Sequence, residues 1–332
     1  MFLVRRFLFL VPLAFLTLAS CTAVLEPNFS PLANLPLAAE THVRHVAPWS
    51  FDGQNGSQIT TDHFHIRTTI DDPLFQHLLV RVVEAAFLHN RELAKFTPDQ
   101  PLDCYVFASR DQWESYTRAQ AGTNAPIYLQ ISSGGYCQQG VFAGYDLGRR
   151  RTLSVVAHET WHQYSWFAFK DRLPSWLEEG LATQNEAIVW DEDRPVFRPE
   201  LNANRLAALR QALRTGTLWQ LPDLLATHAG RVIKMPQPSI DAYYAQLWSL
   251  ILFFRQSPVY ADRLENLLAD ARAGRLTAVL AGTTVTQREI DNFTEHWNTI
   301  AGPLYLRRYL AGDLDALQRE YLAWVRSYLA SR

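Results

Sequence analysis

The residues in this chain best suited to chemistry are two histidines four positions apart with a glutamate beside the first: His158-Glu159-Thr160-Trp161-His162. On an α-helix, positions i and i+4 lie one turn apart on one face, so both imidazoles can reach a single Zn²⁺ at about 2.0–2.1 Å. Glu159 is one step round the helix from His158. That step sets its carboxylate beside the water such an ion would carry, where a general base belongs, and not on the ion itself. The apolar run Val155-Val156-Ala157 leads into the pattern, and Thr152 is available as an N-cap. H-E-x-x-H alone also arises as ordinary polar surface, so its reading depends on a third ligand.

Leu173-Pro174-Ser175-Trp176-Leu177-Glu178-Glu179-Gly180-Leu181-Ala182 can supply that ligand from a second helix. Glu178 and Glu179 compete for the role. Ser175 with Glu178 three positions on has the form of a capping box, in which the Glu178 carboxylate folds back onto the N-cap amide. Glu179 has no such local obligation, and Gly180 beside it removes bulk where two helices approach closely. Glu179 is therefore the expected third ligand. The connection beginning at Gln163 is long enough to finish the first helix, turn at Asp171–Pro174 and start an antiparallel partner.

HETWH followed by W-L-E-E-G-L-A resembles the gluzincin clan of metallopeptidases, in particular the peptidase-MA-like families related to aminopeptidase N and thermolysin. The second segment is similar to the W-L-x-E-G-x-A of the aminopeptidase-type members. The spacing between the two halves is shorter than in aminopeptidase N itself, so the resemblance is to the clan and not to that subfamily. It implies zinc-dependent peptide hydrolysis, with one Zn²⁺ on His158, His162 and Glu179 and with Glu159 as general base. It also points to Glu186, on the Glu179 face of the second helix, as a hydrogen-bond acceptor for His158 or His162; a solvent-facing glutamate is the plain alternative. Gluzincins commonly hold the oxyanion with a tyrosine or histidine from the helical region downstream, which implies Tyr244, in Y-A-Q-x-W, ahead of Tyr243. Either ring could simply pack between helices. By the same analogy, a substrate backbone would run along Gly140–Tyr145. No amine-anchoring glutamate of the aminopeptidase type is found, so neither endo- nor exopeptidase activity is assigned.

The elements that must position these groups form an α+β plan. Thr61–Thr69 alternates as a strand does, and a helix follows with Asp72 as cap and Pro73 in its first position, running to about Phe96. Asp103–Ser109 is β-prone, Arg110–Ala119 helical, and Tyr136–Tyr145, punctuated by glycine, reads as an edge strand. Beyond Thr152, helices are expected over Leu206–Leu213, Tyr243–Phe254, Asp262–Ala271, Gln287–Trp297 and Leu314–Leu329. The division that results is a leader over 1–20, a flexible tether over 21–56, a mixed α/β lobe over 57–150, and a helical lobe carrying the zinc motif over 151–332. A zincin-like cleft would lie between the lobes.

Arg5 and Arg6 followed by an apolar run from Phe7 to Ala19 form an export signal. Its ending, Leu18-Ala19-Ser20-Cys21, resembles the bacterial lipobox, which implies acylation at Cys21 and anchoring in a bilayer. Thr22 lacks the aspartate tied to inner-membrane retention, which leans towards the periplasmic face of the outer membrane in a Gram-negative cell. With Cys21 acylated, Cys104 and Cys137 remain as an even pair in an oxidising compartment, either bonded or as two separate thiols. A formal net charge of −2 argues against a nucleic-acid partner. His63 and His65 read as one polar strand face, Arg149-Arg150-Arg151 as a solvated loop, and Trp161, Trp166 and Trp176 as packing between the two motif helices. The rival to a peptidase is a lipoprotein that keeps the fold and binds a peptide or envelope partner without cutting it.

Overall fold

The computed structural model describes residues 28–132 and 134–332, so the export signal expected over 1–20 and the acylation expected at Cys21 lie outside the described residues. Six strands form one mixed sheet: β1 (Val43–Phe51), β2 (Gln54–Thr61), β3 (Phe64–Thr68), β4 (Leu102–Phe107), β5 (Gly135–Gln138) and β6 (Val141–Tyr145), in the order β1-β2-β3-β4-β6-β5. The β3/β4 and β4/β6 pairs are parallel and the rest antiparallel. Between β3 and β4 the chain crosses over through α1 (Pro73–Ala94). Asp72 caps α1 by accepting from the Phe75 N–H at 3.2 Å, and Pro73 opens it, as the sequence predicts.

The sheet starts inside the stretch expected to be tether. Asp52 and Gly53 have φ of 46° and 76°, and Phe51 pairs with Gln54, so Asp-Gly makes the two-residue hairpin turn that joins β1 to β2. The Pro, Ser and Asn content of this stretch masks that signal, and Pro48 is tolerated because β1 is an edge strand. Tyr136–Tyr145 is likewise two strands and not one. Gln139 and Gly140, with φ of 52° and 79°, form a second two-residue turn between Gln138 and Val141. The outer edge is therefore β5. β6, which carries the expected substrate strand Gly140–Tyr145, is flanked on both sides.

Alternation along β4 and β6 sends Cys104, Val106 and Phe142 into the main core and Phe107, Ala143 and Tyr145 into a smaller aromatic one. The second face is covered by α2 (Arg110–Gln120), whose Trp113 donates from Nε1 to the Ala143 carbonyl at 3.1 Å. The first face is covered by α1 and by α3 (Arg149–Ala168), the helix that bears H-E-x-x-H. Thus α3 packs on the sheet, whereas α4 (Ser175–Ala182) packs on α6 (Gln237–Gln256). A small hairpin, β7 (Ile188–Asp191) and β8 (Arg194–Phe197), and α5 (Ala203–Thr215) lie between them in sequence. On α6 pack α7 (Pro258–Ala273) and α9 (Leu314–Ala330), while α8 (Glu295–Tyr309) packs on α7. The single helix expected over Gln287–Trp297 is broken: Phe293 has a φ of 51°, and Thr294 caps α8 by accepting from the Trp297 N–H. Among the described residues, no helix is long and apolar enough to cross a membrane.

Candidate metal centre

α3 starts four residues earlier than expected. Gly148, at φ 89°, is its N-cap, so Arg149-Arg150-Arg151 form the first helical turn and not a loop. Arginines at a helix N-terminus oppose the helix dipole, and Arg149 answers this by pairing with Asp72 at 2.8 Å. Thr152 is not the cap; its hydroxyl accepts from the Leu147 N–H at 2.8 Å. Val156, Ala157, Thr160, Trp161 and Tyr164 are buried beneath α3, and that fixes which way His158, Glu159 and His162 face. Gln163 adds a polar tie, donating to the carbonyls of Asp103 at 2.6 Å and Gly140 at 3.1 Å, so the β5–β6 turn is held against the motif helix.

The two Nε2 atoms of His158 and His162 lie 3.2 Å apart. Glu179 Oε2 is 3.4 Å from the first and 3.7 Å from the second. Ligands at about 2.0–2.1 Å around a tetrahedral ion stand about 3.3 Å from one another, so this triangle has the size a zinc site needs. Both Nδ1 atoms face carboxylates, Glu186 Oε1 at 3.0 Å for His158 and Glu178 Oε1 at 3.0 Å for His162. Ionised carboxylates only accept, so each Nδ1 carries a proton, and a neutral imidazole at either position would present its Nε2 lone pair to the centre of the triangle. The Glu179 carboxylate between them favours positive charge at that point, carried by imidazole protons or by a cation. The electrostatics agree. Burial works against protonation, yet Glu179 and Glu186 outweigh it and raise His158 to about 9, and Glu179 and Glu178 raise His162 likewise. Burial would raise Glu179, but the imidazoles hold it far below its ordinary value.

Glu178 is not in a capping box. Pro174 is the N-cap of α4 and no side chain caps it; the Ser175 N–H is instead taken by Asn298 Oδ1 at 2.8 Å. Glu178 reaches α3, where Ser165 and His162 donate to its Oε1. Glu186 lies past the end of α4, after the turn Thr183–Asn185, where the Ser154 hydroxyl donates to its carbonyl at 2.9 Å. Its carboxylate also accepts from Asn202 Nδ2 at 2.9 Å and from Arg205 Nε and Nη2 at 2.8 and 2.6 Å. Burial opposes ionisation, but Arg205 and His158 hold Glu186 down at about 2. Glu159 is 8 % exposed; burial raises it while His162 and His158 pull it down, with the net shift upward, towards the range a neutral-pH base needs.

Tyr244 lies at the centre, its ring centroid 6.5 Å from that of His158 and with the Arg205 guanidinium 5.1 Å above its own face. Tyr243 does not: it is fully buried, and its hydroxyl donates to the Thr227 carbonyl at 3.2 Å. Sequence reasoning missed Arg205, Asn202 and His228. The last is half-buried within electrostatic reach of Glu179, and none of the three sits at a spacing tied to the motif. Cys104 and Cys137 are both free. They flank Phe142 from opposite sides, about two strand spacings or 9–10 Å apart, beyond the roughly 7 Å a disulfide can bridge. Burial, with Glu159 adding to it, pushes the Cys137 thiol up.

Comparisons of the chain with protein-family models, with curated proteins and with solved structures found no match.

Proposed function

We propose that this chain is a zinc-dependent metallopeptidase of the gluzincin type, exported and anchored to a membrane through acylated Cys21. The observation that carries the reading is the convergence of His158 Nε2, His162 Nε2 and Glu179 Oε2 within 3.7 Å of one another. In the proposed centre these three hold one Zn²⁺, whose Lewis acidity lowers the pKa of a water and polarises a carbonyl. Glu186 and Glu178 hold the two imidazoles in the tautomer that ligation requires. Glu159 takes the proton from the attacking water and hands it to the leaving amine. Tyr244 donates its hydroxyl proton towards the developing oxyanion, with Arg205 stacked behind the ring. A peptide substrate would lie beside β5, the strand whose outer edge is open, in a cleft between the sheet-bearing and helical parts of the chain.

The deciding experiment is hydrolysis of a diverse peptide library by the full chain in detergent, read by mass spectrometry beside zinc analysis. Glu159→Gln is expected to keep its zinc and lose about 10²–10⁴-fold in rate, whereas His158→Ala loses the zinc. Undiminished hydrolysis by Glu159→Gln would overturn the mechanism. Stoichiometric zinc without cleavage of any peptide by the parent would favour the non-cutting binding lipoprotein.

A further inference from the structure

A second group of metal-competent side chains stands at the other end of the sheet and shares no residue with the centre above: His42, Asp62 and Glu84. They come from three segments. His42 precedes β1, Asp62 sits in the tight turn from β2 to β3, and Glu84 projects from the middle of α1. His42 Nδ1 is 2.8 Å from Asp62 Oδ2 and 4.0 Å from Glu84 Oε2. From the same turn, His63 Nδ1 is 2.7 Å from Glu84 Oε2.

The outer contacts are those of a ligand site and not of a solvated charge cluster. The Glu84 carboxylate is only 1 % exposed. Its Oε1 is filled by the Thr61 hydroxyl at 2.6 Å and the His63 N–H at 3.1 Å, which turns Oε2 towards the imidazoles. Asp62 is arranged in the same way: Arg44 takes Oδ1 and leaves Oδ2 to His42. The His63 ring is held by stacking on Phe87, with centroids 3.8 Å apart. One oxygen of each carboxylate is thus locked by protein donors, and the other accepts an imidazole Nδ1–H, His42 on Asp62 and His63 on Glu84, so an ion binds here by displacing the His42 proton. His42 and Asp62 are 39 % and 23 % exposed, which gives an ion a way in and a water a place as fourth ligand.

His63 and His65, read from sequence as one polar face, separate here. His63 turns to α1, while His65 stays on the strand 3.9 Å from Asp103. The ligand that spacing alone could not supply comes from Glu84, brought in by the β3–α1 crossover.

We propose that His42, Asp62 and Glu84, with His63 beside them, form a second site for a divalent cation of the zinc class. Mixed imidazole and carboxylate donors favour Zn²⁺ over Mg²⁺ or Ca²⁺, which take oxygen ligands. An ion there clamps the chain entering β1 and the β2–β3 turn to α1, a structural role independent of peptide hydrolysis.

The test is a Zn²⁺ titration of the chelator-stripped full chain by calorimetry, with zinc alone as probe. His42→Ala and Asp62→Asn, both at partly exposed positions, are each expected to bind one ion fewer per chain than the parent and to hydrolyse peptide at the parent's rate. His158→Ala, in contrast, removes the other ion. Equal zinc stoichiometry and affinity in the parent, His42→Ala and Asp62→Asn would overturn the second site, whatever His158→Ala does.

Discussion

At the scale of single residues, Glu178 is the most instructive. Its spacing from Ser175 suggests a capping box, a motif in which both partners are neighbours in sequence. The fold offers it something better: a pair of donors on α3, His162 Nδ1 and the Ser165 hydroxyl. Sequence reasoning thus reached Glu179 by setting Glu178 aside for a role it does not have. The two placements predict different outcomes. Capping would make Glu178→Ala cost about 1 kcal/mol of stability and leave zinc affinity alone. Orientation of His162 makes the same change weaken zinc about 10–100-fold, which competition against a chromophoric chelator would measure. Unchanged affinity would remove Glu178 from the centre. Glu186 was legible only by resemblance, whereas Arg205 and Asn202, which saturate its carboxylate, carry no spacing signal at all.

Among the elements, most boundaries follow from local physics: the Asp72 cap of α1, the glycine end of α5, the amphipathic run of α9. Errors fall where a turn hides inside a composition. Asp52-Gly53 and Gln139-Gly140 each convert what looked like tether or single strand into a hairpin, and the second moves the sheet edge from β6 to β5. Gly180 also acts elsewhere than its sequence position suggests. A Cβ there would meet Ile251 Cγ1 at 2.6 Å and the Leu247 carbonyl at 3.3 Å, so its close approach is to α6 and not to α3. Trp176 belongs to that same side, donating from Nε1 to the Gly302 carbonyl at 3.1 Å. Gly180→Ala should therefore destabilise the protein by about 1–3 kcal/mol through overpacking, seen as a lower midpoint in urea. An unchanged midpoint would mean that the α4–α6 contact has slack.

Over the whole molecule, the junction between sheet-bearing and helical parts contains a pH-sensitive group. His89 projects from α1 against Phe197 of β8, with ring centroids 5.4 Å apart, and its Nε2 has no hydrogen-bond partner among the described residues. Burial, with Arg255 adding to it, lowers its pKa from 6.5 to about 4. The unfolded chain therefore binds this proton first as pH falls. Its stabilising contribution is complete above pH 6.5 and is lost progressively down through pH 4, amounting to about 3 kcal/mol across that window. His89→Leu should flatten this part of the stability-against-pH curve relative to the parent. Parallel curves for the two proteins between pH 7 and 4 would show that His89 is not the group responsible.

Sequence by itself determined what repeats or pairs at short range: the i, i+4 histidines with their glutamate, the neighbouring glutamates that compete for one ligand position, the Asp72 cap, and the helical run from Tyr243 that holds Tyr244. Helix geometry sets those relations within a turn or two, so spacing is enough to read them. Tertiary structure decided which carboxylate serves which imidazole, that Cys104 and Cys137 stay apart across Phe142, and that His42, Asp62 and Glu84 meet. Each of these depends on strand order and on which face of the sheet a helix covers, and the chain closes those contacts only after it has folded.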